Sequence, residues 1–260
     1  MTADEATPRI ERGRLRGIEP GQPQPRLAAG PAAEPLVRSA GGAIVFDLEQ
    51  TIRERHTTRM FLPRPVPREL VDDALCLAVC APSNSNIQPW HVVFASGAAR
   101  DRLVAAMLDE ARRRPPEIPR LPESFQHYRK ELGAQVYGAM GIAIEDKAGH
   151  AAAVLRNWEF FRAPLAAIVC MHRDLGPADA LSVGMFLQTL LLALTARGLG
   201  TAVEVSVAGY PEIARAQLAI PAELSILCGL AVGYPDPDFP ANKLHIGREA
   251  IGKNVVFLES

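Results

Sequence analysis

Residues 81–95 read APSNSNIQPWHVVFA. Pro82 stops whatever helix precedes it, because proline offers no backbone N–H and clashes with the preceding turn. Five amide or hydroxyl side chains (Ser83, Asn84, Ser85, Asn86 and Gln88) then crowd between Pro82 and Pro89. The chain leaves Trp90 into an apolar run at 91–95 that reads as a strand, punctuated by Gly97. A helix stop, an amide-rich turn and a strand therefore follow within fifteen residues.

Working upstream, Pro67 suits the first turn of a helix reaching Cys80. Leu70, Ala74, Leu77 and Ala81 share one face of it, and Val71, Leu75 and Ala78 lie beside them. Residues 47–55 predict a short helix with Asp47 as its N-cap. Working downstream, helices are expected over 98–113, 124–139 and 151–161, with a proline-rich excursion at 114–122. A strand is expected at 166–171. The longest helix is expected over 178–197, closed by Gly198 at its C-terminal end. Residues 202–207 read as extended, 211–218 as a short helix, 224–232 as a buried strand and 255–258 as a last short strand. More helix than strand, alternating irregularly and without a 20–50-residue repeat, suggests α+β or α/β, with a modest sheet covered by helices.

Residues 1–45 differ from the rest. They hold six prolines and six glycines among arginine-rich clusters. Such a segment buries too little surface to offset its ordering entropy, so a disordered extension is expected before a single domain at 46–260. Charges and prolines occupy the place of a secretory apolar region. The apolar stretch 181–199 is interrupted by Ser182, Gly184, Gln188, Thr189, Thr195, Arg197 and Gly198 and reads as a buried core helix.

The whole chain of 260 residues has 48% apolar and 22% charged residues and a net charge of −1. A length of this order supports a substantial core without disulfides. A balance this close to neutral argues against nucleic acid or a membrane surface as a partner. The four cysteines (Cys76, Cys80, Cys170 and Cys228) form no C-x-x-C pair. This usage suits a reducing, cytoplasmic location, and Cys76 and Cys80 read as small buried apolar residues. No metalloprotease, nucleophile-elbow or phosphate-loop motif is present, and the six histidines lack metal-ligand spacing.

Four segments could carry chemistry. Arg55-His56-Thr57-Thr58-Arg59 places two guanidinium groups and two hydroxyls within five residues. Arginine's planar fork matches phosphate, so the cluster reads as a phosphate cradle or as a solvated basic loop. The amide-rich turn offers donors and acceptors to a heteroaromatic edge, or is a polar turn closed on itself. Gly198-Leu199-Gly200-Thr201 lets backbone approach a ligand, or caps a helix. It is not a dinucleotide fingerprint, since Val203 stands where the third glycine belongs. Gly233-Tyr234-Pro235-Asp236-Pro237 is followed by Arg248, a further phosphate donor or a surface arginine.

Taken together and in order, these segments resemble the nitroreductase-like FMN flavoproteins. RHTTRMF at 55–61, APSNSNIQPW at 81–90, NWEFFRAP at 157–164, GMFLQTLLLALTARGLGT at 184–201 and GYPDP at 233–237 carry the likeness, which spans about residues 46–260 and is nearest the nitrobenzoate and nitroarene reductases. The resemblance implies an α+β fold with a small mixed or antiparallel sheet, and two interlocked subunits with FMN at their interface. It implies that Arg55, His56, Thr57, Arg59 and Arg248 hold the phosphate and ribityl chain. Pro82, Ser83, Asn84 and Asn86 would approach the ring across the interface, the backbone of Val203, Glu204 and Val205 would lie near it, and Gln135 would reach its pyrimidine edge. It further implies ping-pong reduction of nitroaromatic or similar electron-poor acceptors at the expense of NADH or NADPH, with no dedicated catalytic side chain. Related groups perform dehalogenation, enone reduction, azoline oxidation or flavin breakdown, and a non-enzymatic FMN-binding protein is the reading outside enzymes. Thr57 stands where serine is usual, and the AVEV run at 202–205 replaces cysteine- or proline-containing versions.

Overall fold

Two apolar runs, Leu165–His172 (β2) and Leu224–Gly233 (β4), pair antiparallel at the centre of the sheet. Strands covered on both faces need continuous apolar sequence rather than alternation, and residues 166–171 are all buried. His91–Ser96 (β1) flanks β2 and Gly200–Glu204 (β3) flanks β4, giving the order β1-β2-β4-β3 with every pairing antiparallel. The structure is a computed structural model and describes residues 47–258. The expectation for residues 1–45 lies outside the described residues.

Each sheet face carries its own helical layer. Ala166, Ile168 and Cys170 point to one side, where Leu103 and Met107 of Gly97–Arg113 (α3) and Ala214 of Pro211–Leu218 (α7) meet Phe160, Val207 and Tyr210. Ala167, Val169 and Met171 point to the other, against Ala74 and Ala78 of Arg68–Ala78 (α2) and Val183, Phe186, Leu190 and Leu194 of Pro177–Thr195 (α6). Fully burying a leucine such as Leu190 contributes about 1.5–3 kcal/mol. Trp90 stacks on Phe186 with ring centroids 4.8 Å apart, which fastens the end of the amide-rich turn to α6. Burial pushes the Cys170 thiol up to about 11 and the Cys228 thiol up to about 12.

Helix ends follow the sequence signals. Asp47 Oδ1 accepts from Gln50 N at 2.8 Å and starts Leu48–Glu54 (α1). Gly198, at φ +74°, closes α6, with its N–H donating to the Thr195 carbonyl and the Leu199 N–H to that of Leu194. Gln126–Ala139 (α4) and Lys147–Leu155 (α5) form an excursion between α3 and β2, α5 being capped by Asp146 on Gly149 N.

Several expectations are corrected. The helix expected over 151–161 is α5, which begins and ends earlier; Phe160, Phe161 and Arg162 then run left-handed at φ 51°, 49° and 65°. Trp158, Phe160 and Phe161 are all buried, a spacing that one helical stripe cannot deliver. They belong to the core. The 114–122 excursion is tied down too, by Glu117 N on the Gly209 carbonyl at 3.1 Å. The extended run at 202–207 ends at Glu204, and residues 205–209 form a 3-10 turn. No strand forms at 255–258; Ile251–Asn254 (α8) precedes it, and Val256, Phe257 and Leu258 stand 77%, 79% and 94% exposed with no pairing strand among the described residues. Cys76 and Cys80 are exposed, because the buried stripe of α2 runs through Val71, Ala74 and Ala78 on the other side. The helix α6 is buried along one face only, leaving Leu181 66% exposed.

Candidate active site

Past α1 the chain runs extended along the free edge of β3. Thr57 bridges Thr201 in parallel, Thr58 N donates to the Thr201 carbonyl at 2.9 Å, and Phe61 pairs with Pro235. Asn242 fixes this segment from the C-terminal side. Its Oδ1 accepts from Arg59 N at 2.6 Å, and its Nδ2 donates to the carbonyls of Met60 and Asp236 at 2.8 and 2.9 Å. Buried backbone groups need such partners, and one amide supplies three. Nothing in the sequence singled out Asn242.

Gly200 serves this same seam rather than a ligand. A β-carbon there would fall against Thr58 Oγ1 and 2.8 Å from Pro235 Cγ. We expect Gly200→Ala to cost about 1–3 kcal/mol through overpacking. Thr58→Ala in the same chain should recover part of that loss in urea unfolding, whereas simple additivity would place the crowding elsewhere.

Arg55 and Arg248 come together although most of the chain separates them. Burial, and then the nearby charge of Arg248, hold the Arg55 guanidinium below its ordinary value. Neither arginine forms an ion pair among the described residues, and Arg248 reaches only the Ile246 and Gly247 carbonyls, at 2.6 and 3.0 Å. Two cations that feel each other's charge and lack a carboxylate partner make a place for an anion. Beside Arg55, His56 Nδ1 lies 2.7 Å from the Glu54 carbonyl, while its Nε2 is buried with no partner. Thr57 is half-buried in the same segment.

Arg59 points elsewhere, into a cleft of about 290 Å³ lined also by Val136 and Tyr137 of α4 and by Arg156, Asn157 and Phe161. Burial lowers its guanidinium, and Nη1 donates to the Thr57 carbonyl at 3.2 Å. Gln135 is exposed on α4 and does not line the cleft; the amide that does is Asn157, inside a segment already marked by its aromatic residues.

The amide-rich turn makes no hydrogen bond to these arginines among the described residues and is not among the residues lining the cleft. Ser85, Asn86 and Gln88 adopt φ of 48°, 56° and 50°, a left-handed conformation that costs about 1–2 kcal/mol per residue outside glycine, with asparagine the exception that adopts it readily. The start of α6 holds it: Asn84 N donates to Ser182 Oγ at 3.1 Å and Asn84 Nδ2 to Asp179 Oδ1 at 3.2 Å, while Gln88 N donates to Ser83 Oγ at 3.0 Å. Pro82, Asn84 and Asn86 are exposed. At the end of β3, Val203 and Val205 face outward and Glu204 faces inward. Both Glu204 carboxylate oxygens are buried without a partner, and burial raises its carboxyl well above the usual range.

The nitroreductase family model matches residues 52–234, which takes in the arginine segment, the turn, both central strands and the 233–234 corner. The chain belongs to the nitroreductase family. A 4-nitrobenzoate reductase of Nocardioides sp. (strain LMS-CY) is 33% identical over 217 residues, covering 80% of this chain and 88% of that one. A nitrobenzene nitroreductase of Ectopseudomonas oleovorans is 32% identical over 81% of this chain and 96% of its own. Among solved structures, the FMN and NADPH-dependent nitroreductase NfnB of Sphigopyxis sp. strain HMH superposes with a TM-score of 0.79 at 27% identity, covering 83% and 100% of the two chains. The FMN-dependent NfnB of Mycobacterium smegmatis, in complex with NADPH, gives 0.76 at 31% identity, covering 81% and 97%. The four-stranded antiparallel sheet with helices on both faces is thus a nitroreductase fold.

Proposed function

We propose that this chain is an FMN-dependent oxidoreductase that draws electrons from NADH or NADPH and reduces nitroaromatic or similarly electron-poor acceptors as a homodimer. The reading is carried by two facts together: burial and then the charge of Arg248 lower the Arg55 guanidinium, and neither arginine has an ion pair among the described residues. FMN ends in a phosphate monoester, the dianion that such a pair fits. His56, with an orphaned buried nitrogen, and the Thr57 hydroxyl extend the cradle toward a ribityl chain. Arg59 and Asn157 then offer donors to the pyrimidine edge of the ring, with Asn157 better placed than Gln135. The backbone of Val203, Glu204 and Val205 lies on the open edge of β3, where a ring can stack.

Bound FMN supplies the two-electron carrier between nicotinamide and acceptor. The chain's own part is position and electrostatics. Arg59 places positive charge where negative charge grows on reduction, which stabilises that state without a proton transfer. No side chain of the cleft is required as an acid or base, and protons are drawn from solvent.

Assembly as a pair of chains is supported by what one chain leaves uncovered. Asn84 is tied to the start of α6, and Pro82, Ser83, Asn84 and Asn86 make no hydrogen bond to the arginines among the described residues. Beside them lies the open face of α6, and the apolar C-terminal segment has no cover. A shared site of this kind calls for an interface burying more than about 2,000 Å². Deleting residues 251–258 should yield a monomer in sedimentation and empty it of flavin; a flavin-loaded monomer would defeat the shared site. We place the enzyme in the cytoplasm, which suits exposed, unbridged Cys76 and Cys80.

The deciding experiment is the visible spectrum of purified protein. A yellow protein bleached by NADH or NADPH, and recoloured by a nitroarene, is the expected outcome. Bound flavin that neither nucleotide bleaches would leave a flavin-binding protein without this activity, and a colourless protein that takes up no added FMN would remove the reading altogether.

A further inference from the structure

Arg59 shares its cleft with two further guanidinium groups. Arg129 of α4 and Arg156, just past α5, line it as well, and no aspartate or glutamate does. Some arginines of this chain are neutralised by acids: Arg114 meets Glu110, Glu117 and Glu212. Arg129 has neither a hydrogen bond nor an ion pair among the described residues. Arg156 is held by soft partners, with Nη1 3.3 Å from Met140 Sδ and its guanidinium carbon 5.3 Å from the Phe239 ring centroid. Both forks are therefore free of competing carboxylates. The walls between them are apolar, through Leu132, Val136 and Phe161. A slot with apolar wall on part of its lining and cations without carboxylate partners selects a flat molecule with a negative end.

We propose that Arg129 and Arg156 are specificity residues that select acceptors bearing a carboxylate on the aromatic ring. The proposal rests on the flavin reading above and narrows its substrate class. A guanidinium meets a carboxylate through two parallel N–H donors, so an aromatic acid is fixed in orientation as well as held. The apolar walls take the ring. A neutral nitroarene keeps the ring contact and loses the charge contact.

The test compares 4-nitrobenzoate with nitrobenzene, which differ by that carboxylate, in wild type, Arg129→Gln, Arg156→Gln and Arg156→Lys. Charge-assisted hydrogen bonds of the usual strength predict a rise in KM for 4-nitrobenzoate of roughly tenfold to a hundredfold in each glutamine variant. KM for nitrobenzene and for NADPH should stay within about twofold, and Arg156→Lys should recover part of the loss. Benzoate, which cannot be reduced, provides a readout independent of turnover: its dissociation constant, followed by flavin difference spectra, should rise in parallel. Equal losses on both nitroarenes would overturn the proposal. So would a raised KM for NADPH with both acceptors unaffected, which would assign the arginines to the phosphates of the donor. Failure of the flavin reading would be visible earlier, as missing or unbleachable flavin before any acceptor is added.

Discussion

Arg248→Ala, like Arg55→Ala, is expected to leave the purified protein with a small fraction of the wild-type flavin. Each guanidinium can make hydrogen bonds to a charged phosphate worth about 1.5–3 kcal/mol, so losing one weakens affinity by roughly tenfold to more than a hundredfold. Burial, and then the like charge of Arg248, hold the Arg55 guanidinium below its ordinary value in the flavin-free protein. Truncating either one therefore relieves the flavin-free protein while penalising the loaded one. Thermal unfolding should show the variant melting no lower than wild type without FMN and clearly lower with FMN in excess. Full yellow occupancy in both variants would contradict the assignment of the phosphate.

Glu204→Gln should change how stability depends on pH. The Glu204 carboxyl is buried with no partner on either oxygen, and burial raises it well above an ordinary carboxylate. An unfolded glutamate titrates near about 4.3. Between that value and the raised folded one, the folded protein holds one proton more than the unfolded chain. Stability from this group is thus complete at low pH and is lost as pH rises, with a slope of up to about 1.4 kcal/mol per pH unit. Glutamine cannot ionise and removes the slope. Urea unfolding with FMN saturating, at several values from about pH 5 to 8, should show the variant gaining on wild type as pH increases. Parallel curves would mean that the carboxylate meets a counter-charge in the assembled enzyme.

What the sequence made legible, and what it did not, divides along physical lines. The helix α7 was readable because Pro211 sets its first turn, and the short helix then runs to Leu218 as expected. The strands β2 and β4 were readable as apolar runs, and the end of α6 as a glycine. These are local signals. The left-handed turn at 160–162 was not readable, because it exists to bury three aromatics at once, a demand set by the sheet beneath it. The exposed 255–258 segment looked like a strand because its side chains are apolar, yet it pairs with no strand edge among the described residues. In the site, Arg55 and Arg59 announced themselves by proximity in sequence. The tie from Asn242 to Arg59 spans 183 residues and leaves no trace in composition or spacing. Gly200 was legible as a special position but for the wrong cause, since Thr58 and Pro235 fill the space a ligand was expected to approach.

The Asn242 tie has a consequence for biosynthesis. The segment that would grip the phosphate is made early, but the amide that fixes Arg59 and Met60 comes near the end of the chain. While the ribosome is still adding residues, positions 55–61 lack β3, Pro235 and Asn242, and so lack their shape. Contacts this distant close late. Cofactor loading therefore waits until Asn242 has been added, and chains cut before it should stay colourless.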